Sequence, residues 1–163
     1  MYNISLTFIY FFFSSFLFSD SDCENDRYLE PLFDIEIIYD IKYGQNVNQS
    51  FLGFEYTENL YMDIYSPLND DFNERPVAFF LFGGSFVGGS KSSSDIVSLC
   101  TNFASLGYVA IAIDYRLSEY LFLSNPSEES GYKAVMKATH DLKAAIIYIK
   151  MNDELHDEYS IDP

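Results

Sequence analysis

The spacing of apolar and polar residues changes several times along the chain. From Phe33 to Ile41 the odd positions are Phe33, Ile35, Ile37, Tyr39 and Ile41, with Asp34, Glu36 and Asp40 between them. A period of two predicts a half-buried strand. The stretch from Gly44 to Gly53 is polar (Gln45, Asn46, Asn48, Gln49, Ser50) and reads as a loop. Leu60, Met62 and Ile64 alternate with Tyr61, Asp63 and Tyr65, which predicts a second strand ended by Ser66-Pro67. After a polar turn over 69–76 the alternation disappears. Val77 to Phe82 is an unbroken apolar run, as in a strand covered on both faces. Ser92, Ser93, Ser94 and Asp95 offer helix N-caps, and Ile96, Leu99, Cys100 and Phe103 keep helical spacing on one face. Gly107 fits a C-cap. Val109 to Ile113 is a second apolar strand ending in Asp114, and 116–130 reads as loop. Lys133 to Lys150 predicts a helix with Val135, Leu142, Ala145, Ile146 and Ile149 on one side, before a polar tail over Tyr159–Pro163.

Two alternating strands followed by strand, helix, strand, helix predict an α/β fold. Its sheet is mostly parallel, with an antiparallel hairpin at its edge. No internal repeat is visible. The first nineteen residues carry no charged side chain, and Ile4 to Phe18 are almost wholly apolar. That run has the length of a signal-peptide core and falls short of the roughly 20 residues of a spanning helix. It reads as a cleavable export signal over 1–19, cut near Ser19 to Ser21, with an uncleaved anchor as the alternative. Residues 20–163 would then be a secreted domain with no stable membrane anchor. Export places Cys23 and Cys100 in an oxidising compartment. A Cys23–Cys100 bridge is open to such a chain, but a buried free Cys100 on a helix face fits the pattern better.

Composition narrows the function. The chain has 163 residues, room for one domain, and a formal net charge of -16. Such an acidic chain repels phosphate backbones, so no nucleic-acid partner is expected. Two cysteines, Cys23 and Cys100, are too few for a disulfide scaffold or a four-ligand zinc site. Of the eight glycines, Gly83, Gly84, Gly88 and Gly89 cluster directly after the Val77–Phe82 strand. In open α/β sheets the carboxyl ends of strands are where ligands bind. Three readings of Phe82-Gly83-Gly84-Ser85-Phe86-Val87-Gly88-Gly89-Ser90-Lys91 compete. It can be an oxyanion-hole loop, whose backbone N–H groups face a developing negative oxygen. It can be a phosphate loop, since Gly84 and Gly89 have the P-loop spacing. There, however, lysine should follow Gly89 at once, and Ser90 intervenes before Lys91. Or it can simply join a strand to a helix.

Further segments resemble one family in order. Leu60-Tyr61-Met62-Asp63-Ile64-Tyr65-Ser66-Pro67 is similar to the LDIYxP strand of the esterase/lipase branch of the α/β hydrolases. Val77 to Ser90 resembles its PVxxxxHGGxFxxG stretch, Phe103 to Ala110 its FAxxGYVA junction, and Asp114-Tyr115-Arg116-Leu117 its DYRL. Asp141, Ala144 and Ala145, then Tyr159-Ser160-Ile161-Asp162-Pro163, resemble the helix and the YGIDP lead-in to the nucleophile strand. The resemblance covers Leu60 to Pro163 and points to a secreted carboxylesterase of the feruloyl-esterase-like or hormone-sensitive-lipase-like kind.

The resemblance implies the N-terminal half of an α/β-hydrolase fold that stops before the nucleophile elbow. It implies oxyanion N–H groups on Gly84 and Ser85, with Gly83 allowing the turn, and a structural role for Arg116. Phe82 stands where the family usually has His or Tyr. No G-x-S-x-G occurs, because Val87 stands where the closing glycine after Ser85 would be. No catalytic triad member is therefore assigned, and the triad is expected beyond Pro163. His140 and His156 read as surface residues. The implied parent activity is serine-dependent hydrolysis of a small-molecule or polysaccharide-linked carboxylic ester, without metal or organic cofactor. Alone, this chain is expected to be inactive. The alternative is a secreted non-catalytic binding module or pseudoenzyme.

Overall fold

The computed structural model describes residues 26–50, 52–118, 127–156 and 159–162. The predicted export segment and Cys23 lie outside the described residues. The elements are β1 (Ile35–Gln49), β2 (Glu55–Pro67), β3 (Val77–Leu81), α1 (Ser94–Ser105), β4 (Val109–Ile113) and α2 (Glu128–His156). They form one sheet in the order β1-β2-β4-β3. β1 and β2 pair antiparallel, β2 and β4 antiparallel, and β3 and β4 parallel. The chain forms the expected α/β fold with an antiparallel hairpin at one edge, but the sheet of the described residues is mixed and not mostly parallel, because β2 also pairs antiparallel with β4 and only β3–β4 is parallel.

The period of two in β2 and β4 sorts side chains onto two faces. Leu60, Met62, Ile64, Val109, Ile111 and Ile113 meet Ala145 and Ile149 of α2. Tyr65, Ala110 and Ala112 meet Ile96, Cys100 and Ala104 of α1. All of β4 is buried at 0% exposure. Cys100 is free and buried, as the helix-face reading expects. α1 ends in the Schellman pattern: Tyr108 N–H reaches the Phe103 carbonyl (3.1 Å) and Gly107 N–H the Ala104 carbonyl (3.0 Å).

Four local expectations are corrected. The polar stretch Gly44–Gln49 is strand, pairing with Glu55–Leu60. One of its polar side chains serves the interior: Asn48 is buried and donates to Glu58 (2.7 Å) and the Leu117 carbonyl (3.0 Å), while Gln45, Asn46 and Gln49 are exposed. The turn is confined to 50–54, where Ser50 N–H meets the Phe54 carbonyl at 2.9 Å. On the helices, Leu99, Val135 and Ile146 face outward. Ile96, Cys100 and Ala104 cover the sheet from α1, and Ala134, Ala138, Asp141, Ala145 and Ile149 are the buried positions of α2. The alanines and Cys100 let the helices approach closely around Ile96 and Ile149, while Leu99, Val135 and Ile146 turn away. α2 also begins five residues before Lys133, at Glu128. Finally, the polar tail is not free: Tyr159 and Ile161 are buried, and Ile161 pairs in parallel with Arg75.

That last pairing fixes the direction of β3's outer edge. Val109 N–H bonds the Pro76 carbonyl (3.0 Å), so alternate residues of β3 from Pro76 face β4. Arg75, Val77, Phe79 and Leu81 turn their backbone groups the other way. Arg75 uses its pair: its N–H meets the Ser160 carbonyl (3.1 Å), and Asp162 N–H meets the Arg75 carbonyl (2.9 Å). β3 is the last strand of the sheet. Among the described residues, no helix is long and apolar enough to cross a membrane.

Candidate functional site

The glycine cluster leaves the carboxyl end of β3 and closes as a tight turn. Val87 N–H bonds the Gly84 carbonyl at 3.0 Å. The central residues Ser85 (φ 55) and Phe86 (φ 65) are both left-handed, the pattern of a type I′ turn. Two consecutive side-chain-bearing residues there store strain, which persists only where surroundings impose it. Glycine is required at two flanking positions. Gly84 has φ 125, and a Cβ on it would run into the Gly88 carbonyl oxygen. Gly89 has φ 116, and a Cβ there would meet the Phe82 ring and lie 2.8 Å from the Gly83 carbonyl oxygen.

The surroundings that impose the turn come from β4's exit. The Phe82 ring stacks on Tyr115 (centroids 4.4 Å apart), and Tyr115 Oη donates to the Phe82 carbonyl at 2.8 Å. Phe86 packs edge-on against the same Tyr115 ring, and Ser118 N–H reaches its carbonyl at 2.7 Å. Phe82 is thus ordered by aromatic stacking instead of by a polar side chain. Gly83, Gly84 and Ser85 are exposed. Among the described residues no hydrogen bond engages their backbone N–H groups, and none engages the Ser85 hydroxyl.

A buried cation anchors the loop's far limb. Lys91 is 6% exposed; its Nζ donates to Asp63 Oδ1 (2.6 Å) and Asp40 Oδ1 (2.8 Å), and its backbone N–H to Asp114 Oδ1 (2.8 Å). Burial pulls the ammonium's pKa down, but the bonds to Asp40 and Asp63 outweigh it and hold it above its usual value. Burial raises the Asp114 carboxyl against the opposing effect of the Lys91 N–H. This arrangement decides against the phosphate-loop reading, because Lys91's ammonium is held by two carboxylates. Arg116 forms the second clamp: Nε and Nη2 fork onto Asp141 (2.8–3.1 Å), and Nη1 donates to the Val47 carbonyl at 2.7 Å. It ties the β4 exit to α2 and β1, the structural role the resemblance implied.

Sequence reasoning missed Lys91 and its partners. Asp63 alternates with Met62 and Ile64 and reads as solvent-facing, yet it is 1% exposed. The available signal was architectural: a sheet with helices on both faces leaves no outward face, so a carboxylate between Tyr61 and Tyr65 needs a cation.

Other reactive groups are not assembled for catalysis among the described residues. Burial pushes the Cys100 thiol up to about 12, which keeps it protonated and a poor nucleophile. His140 is exposed on α2 and lines a cavity of about 700 Å³ with Asn48, Arg116, Ser118 and Lys137. Ser118 joins that cavity to the turn through its bond to Phe86.

Known proteins fit this geometry. No protein of curated function matches the chain. Solved structures do. Thermogutta terrifontis esterase 2 phosphonylated by cyclosarin is 25% identical, with a TM-score of 0.54 over 76% of this chain and 38% of that one. The same enzyme phosphorylated by paraoxon is 25% identical, with a TM-score of 0.53 over 79% and 40%. Brefeldin A esterase, a bacterial homologue of human hormone-sensitive lipase, is a more distant likeness (16% identity, TM-score 0.46, 82% of this chain and 30% of that one). The chain spans about two fifths of the length of the Thermogutta esterase. The BD-FAE family model matches residues 62–163, well over half of the chain. With the parallel β3–β4 pair and its glycine turn inside that match, the chain belongs to the BD-FAE family, esterase-type members of the α/β-hydrolase fold.

Proposed function

We propose that the turn after β3 is the oxyanion hole of a serine-dependent carboxylic-ester hydrolase. The observation that carries this is the set of unengaged backbone N–H groups on Gly83, Gly84 and Ser85, exposed on a turn whose left-handed backbone is imposed by Tyr115 and Ser118. In ester hydrolysis the carbonyl oxygen takes up negative charge as the tetrahedral intermediate forms. Donors already aimed at that position stabilise the transition state without reorganising. Gly84 and Ser85 are the donors in this reading; Gly83, expected to allow the turn, has room for a side chain and an ordinary φ, so the glycine requirement falls on Gly84 and Gly89 instead. The similar esterase structures support a small-molecule ester as substrate, and an ester linked to a polysaccharide is part of the same proposal.

The same reading makes this chain one part of the active site. The nucleophile, acid and base come from sequence following Pro163. Two findings support that: the two-fifths coverage of the esterase structures, and the pairing of Ile161 with Arg75, which directs the chain along the outer edge of β3. The test joins sequence and assay. The reading frame downstream of codon 163 should hold a G-x-S-x-G within about twenty codons. A protein including it should hydrolyse p-nitrophenyl acetate, while residues 20–163 alone should not. Serine-dependent turnover by residues 20–163 alone, or no turnover by the longer protein, would overturn the reading.

A further inference from the structure

Lys91 makes contacts no other residue of the loop makes. Its backbone N–H bonds Asp114, the first residue after β4; its Nζ bonds Asp63 in β2 and Asp40 in β1. β4, β2 and β1 are consecutive in the sheet, so one residue fastens the limb across three strands. The β1 end of the clamp is built for it. The β1–β2 register shifts between Ile38 and Ile41, Asp40 takes a left-handed φ of 57°, and its N–H donates to Asp63 Oδ1 at 2.8 Å. The bulge therefore brings a second carboxylate and a backbone donor to one buried carboxylate, and Lys91 completes the set.

The limb that Lys91 draws down also supports the turn. Gly89, two residues before Lys91, lies so close behind Phe82 and Gly83 that a Cβ would lie 2.8 Å from the Gly83 carbonyl oxygen. Gly83 leads directly into the type I′ turn. If the limb lifts, Gly83 to Ser85 lose their backing and their N–H groups are free to turn. Tyr115 and Ser118 hold the turn from the β4 side, and Lys91 holds it from the α1 side.

We infer that Lys91 is a positioning residue: its ammonium, fixed by Asp63 and Asp40, sets the orientation of the Gly83–Ser85 N–H groups from outside the turn. Its catalytic consequence rests on the oxyanion reading; its structural consequence does not. No side-chain atom of Lys91 need touch substrate.

The test uses amide hydrogen exchange on the full chain. Val87 N–H and Ser118 N–H close the turn, and their exchange reports its order; the Ile111 and Ala112 amides report the sheet. Lys91→Met should speed exchange at Val87 and Ser118 by at least about tenfold, with Ile111 and Ala112 changed less than about twofold. Lys91→Arg, which keeps the charge, should restore much of the protection. Asp40→Asn is a milder second variant, because the Asp40 side chain is 76% exposed and Asn also accepts a left-handed backbone. It should speed the same two amides a few-fold, which keeps the inference testable if Lys91→Met fails to fold. Unchanged exchange at Val87 and Ser118 in the folded variants would overturn the inference. So would equal acceleration throughout the sheet, the mark of a purely structural residue. In the longer ester-hydrolysing protein, Lys91→Met should lower kcat with KM retained. If exchange responds but the wild-type longer protein hydrolyses no ester, the oxyanion reading fails and Lys91's positioning stands.

Discussion

β3 and β4 are parallel neighbours of five apolar residues each, Val77–Leu81 and Val109–Ile113, paired residue for residue. Their surroundings differ. Every residue of β4 is at 0% exposure, between β2 and β3 and beneath both helices. Every residue of β3 is only partly buried, with one neighbouring strand and one pair of outward rungs filled at Arg75. An unbroken apolar run therefore tells that a strand is suited to burial. It does not tell what lies beside it. The glycine turn springs from the less enclosed strand, and its order comes largely from the exit of the enclosed one, through Tyr115 and Ser118.

The largest effect should come from β4's exit. Asp141→Ala leaves the Arg116 guanidinium buried without its carboxylate, and removing one partner of such a pair costs about 3–5 kcal/mol. Urea unfolding should show that loss. A loss below about 1 kcal/mol would mean that the clamp does not hold β4's exit. Next, Ile111→Ala in β4 should cost about 3 kcal/mol through lost burial and a cavity, and Val77→Ala in β3 about 1 kcal/mol or less. Equal costs would erase the difference between the two strands.

A third, smaller effect concerns the segments that lead into both strands. Arg27 forks onto Asp70 (2.7 and 3.0 Å) and donates to the Gly107 carbonyl (3.2 Å) before β4, and Arg75 before β3 pairs with the same Asp70 at 3.0 Å. Burial raises the Asp70 carboxyl, but the Arg27 hydrogen bonds outweigh it, and the net pKa is lowered. A lowered folded-state pKa stabilises the fold above the unfolded value, and the contribution is lost as pH falls through the folded value. Asp70→Asn should therefore cost about 1–2 kcal/mol at pH 7 and progressively less below pH 4. A pH-independent difference in melting would contradict the assignment. The smallest effect concerns β3's outer edge, where among the described residues the rungs at Val77, Phe79 and Leu81 have no partner strand and invite pairing with another chain. Sedimentation of residues 20–163 should show concentration-dependent association that Val77→Lys weakens. Association unchanged by that substitution would place the contact elsewhere.

Much of this was legible in the residues, for identifiable reasons. The boundaries of β4 are legible because its apolar run is bracketed by Gly107 and Asp114, both of which interrupt it. The hairpin at the sheet edge and the Gly107 cap also carry local signals. The glycine cluster announced the turn, since Gly84 and Gly89 occupy left-handed positions that side chains resist. The long arm of β1 is illegible, because Gln45, Asn46, Asn48 and Gln49 join a ladder with Glu55–Asn59 and only Asn48 reaches the interior, neither of which local polarity shows. The outward turn of Val135 and Ile146 depends on how closely α2 approaches the sheet, which periodicity does not encode. Lys91 lies in the glycine-rich loop itself, but its partners are 28 and 51 residues away, at Asp63 and Asp40. Which carboxylates a cation meets is a property of strand order, and the bulge at Asp40 has no simple sequence signature.

The central claim is that backbone N–H groups of the Gly83–Ser85 turn stabilise charge only in the transition state. Steady-state hydrolysis of p-nitrophenyl acetate by the longer protein, wild type against Gly84→Ala, tests it most directly. A Cβ at Gly84 displaces the turn against Gly88, so kcat should fall about 100-fold or more while KM changes less than about threefold and the sheet stays folded by circular dichroism. An unchanged kcat, or a loss confined to KM, would contradict the account.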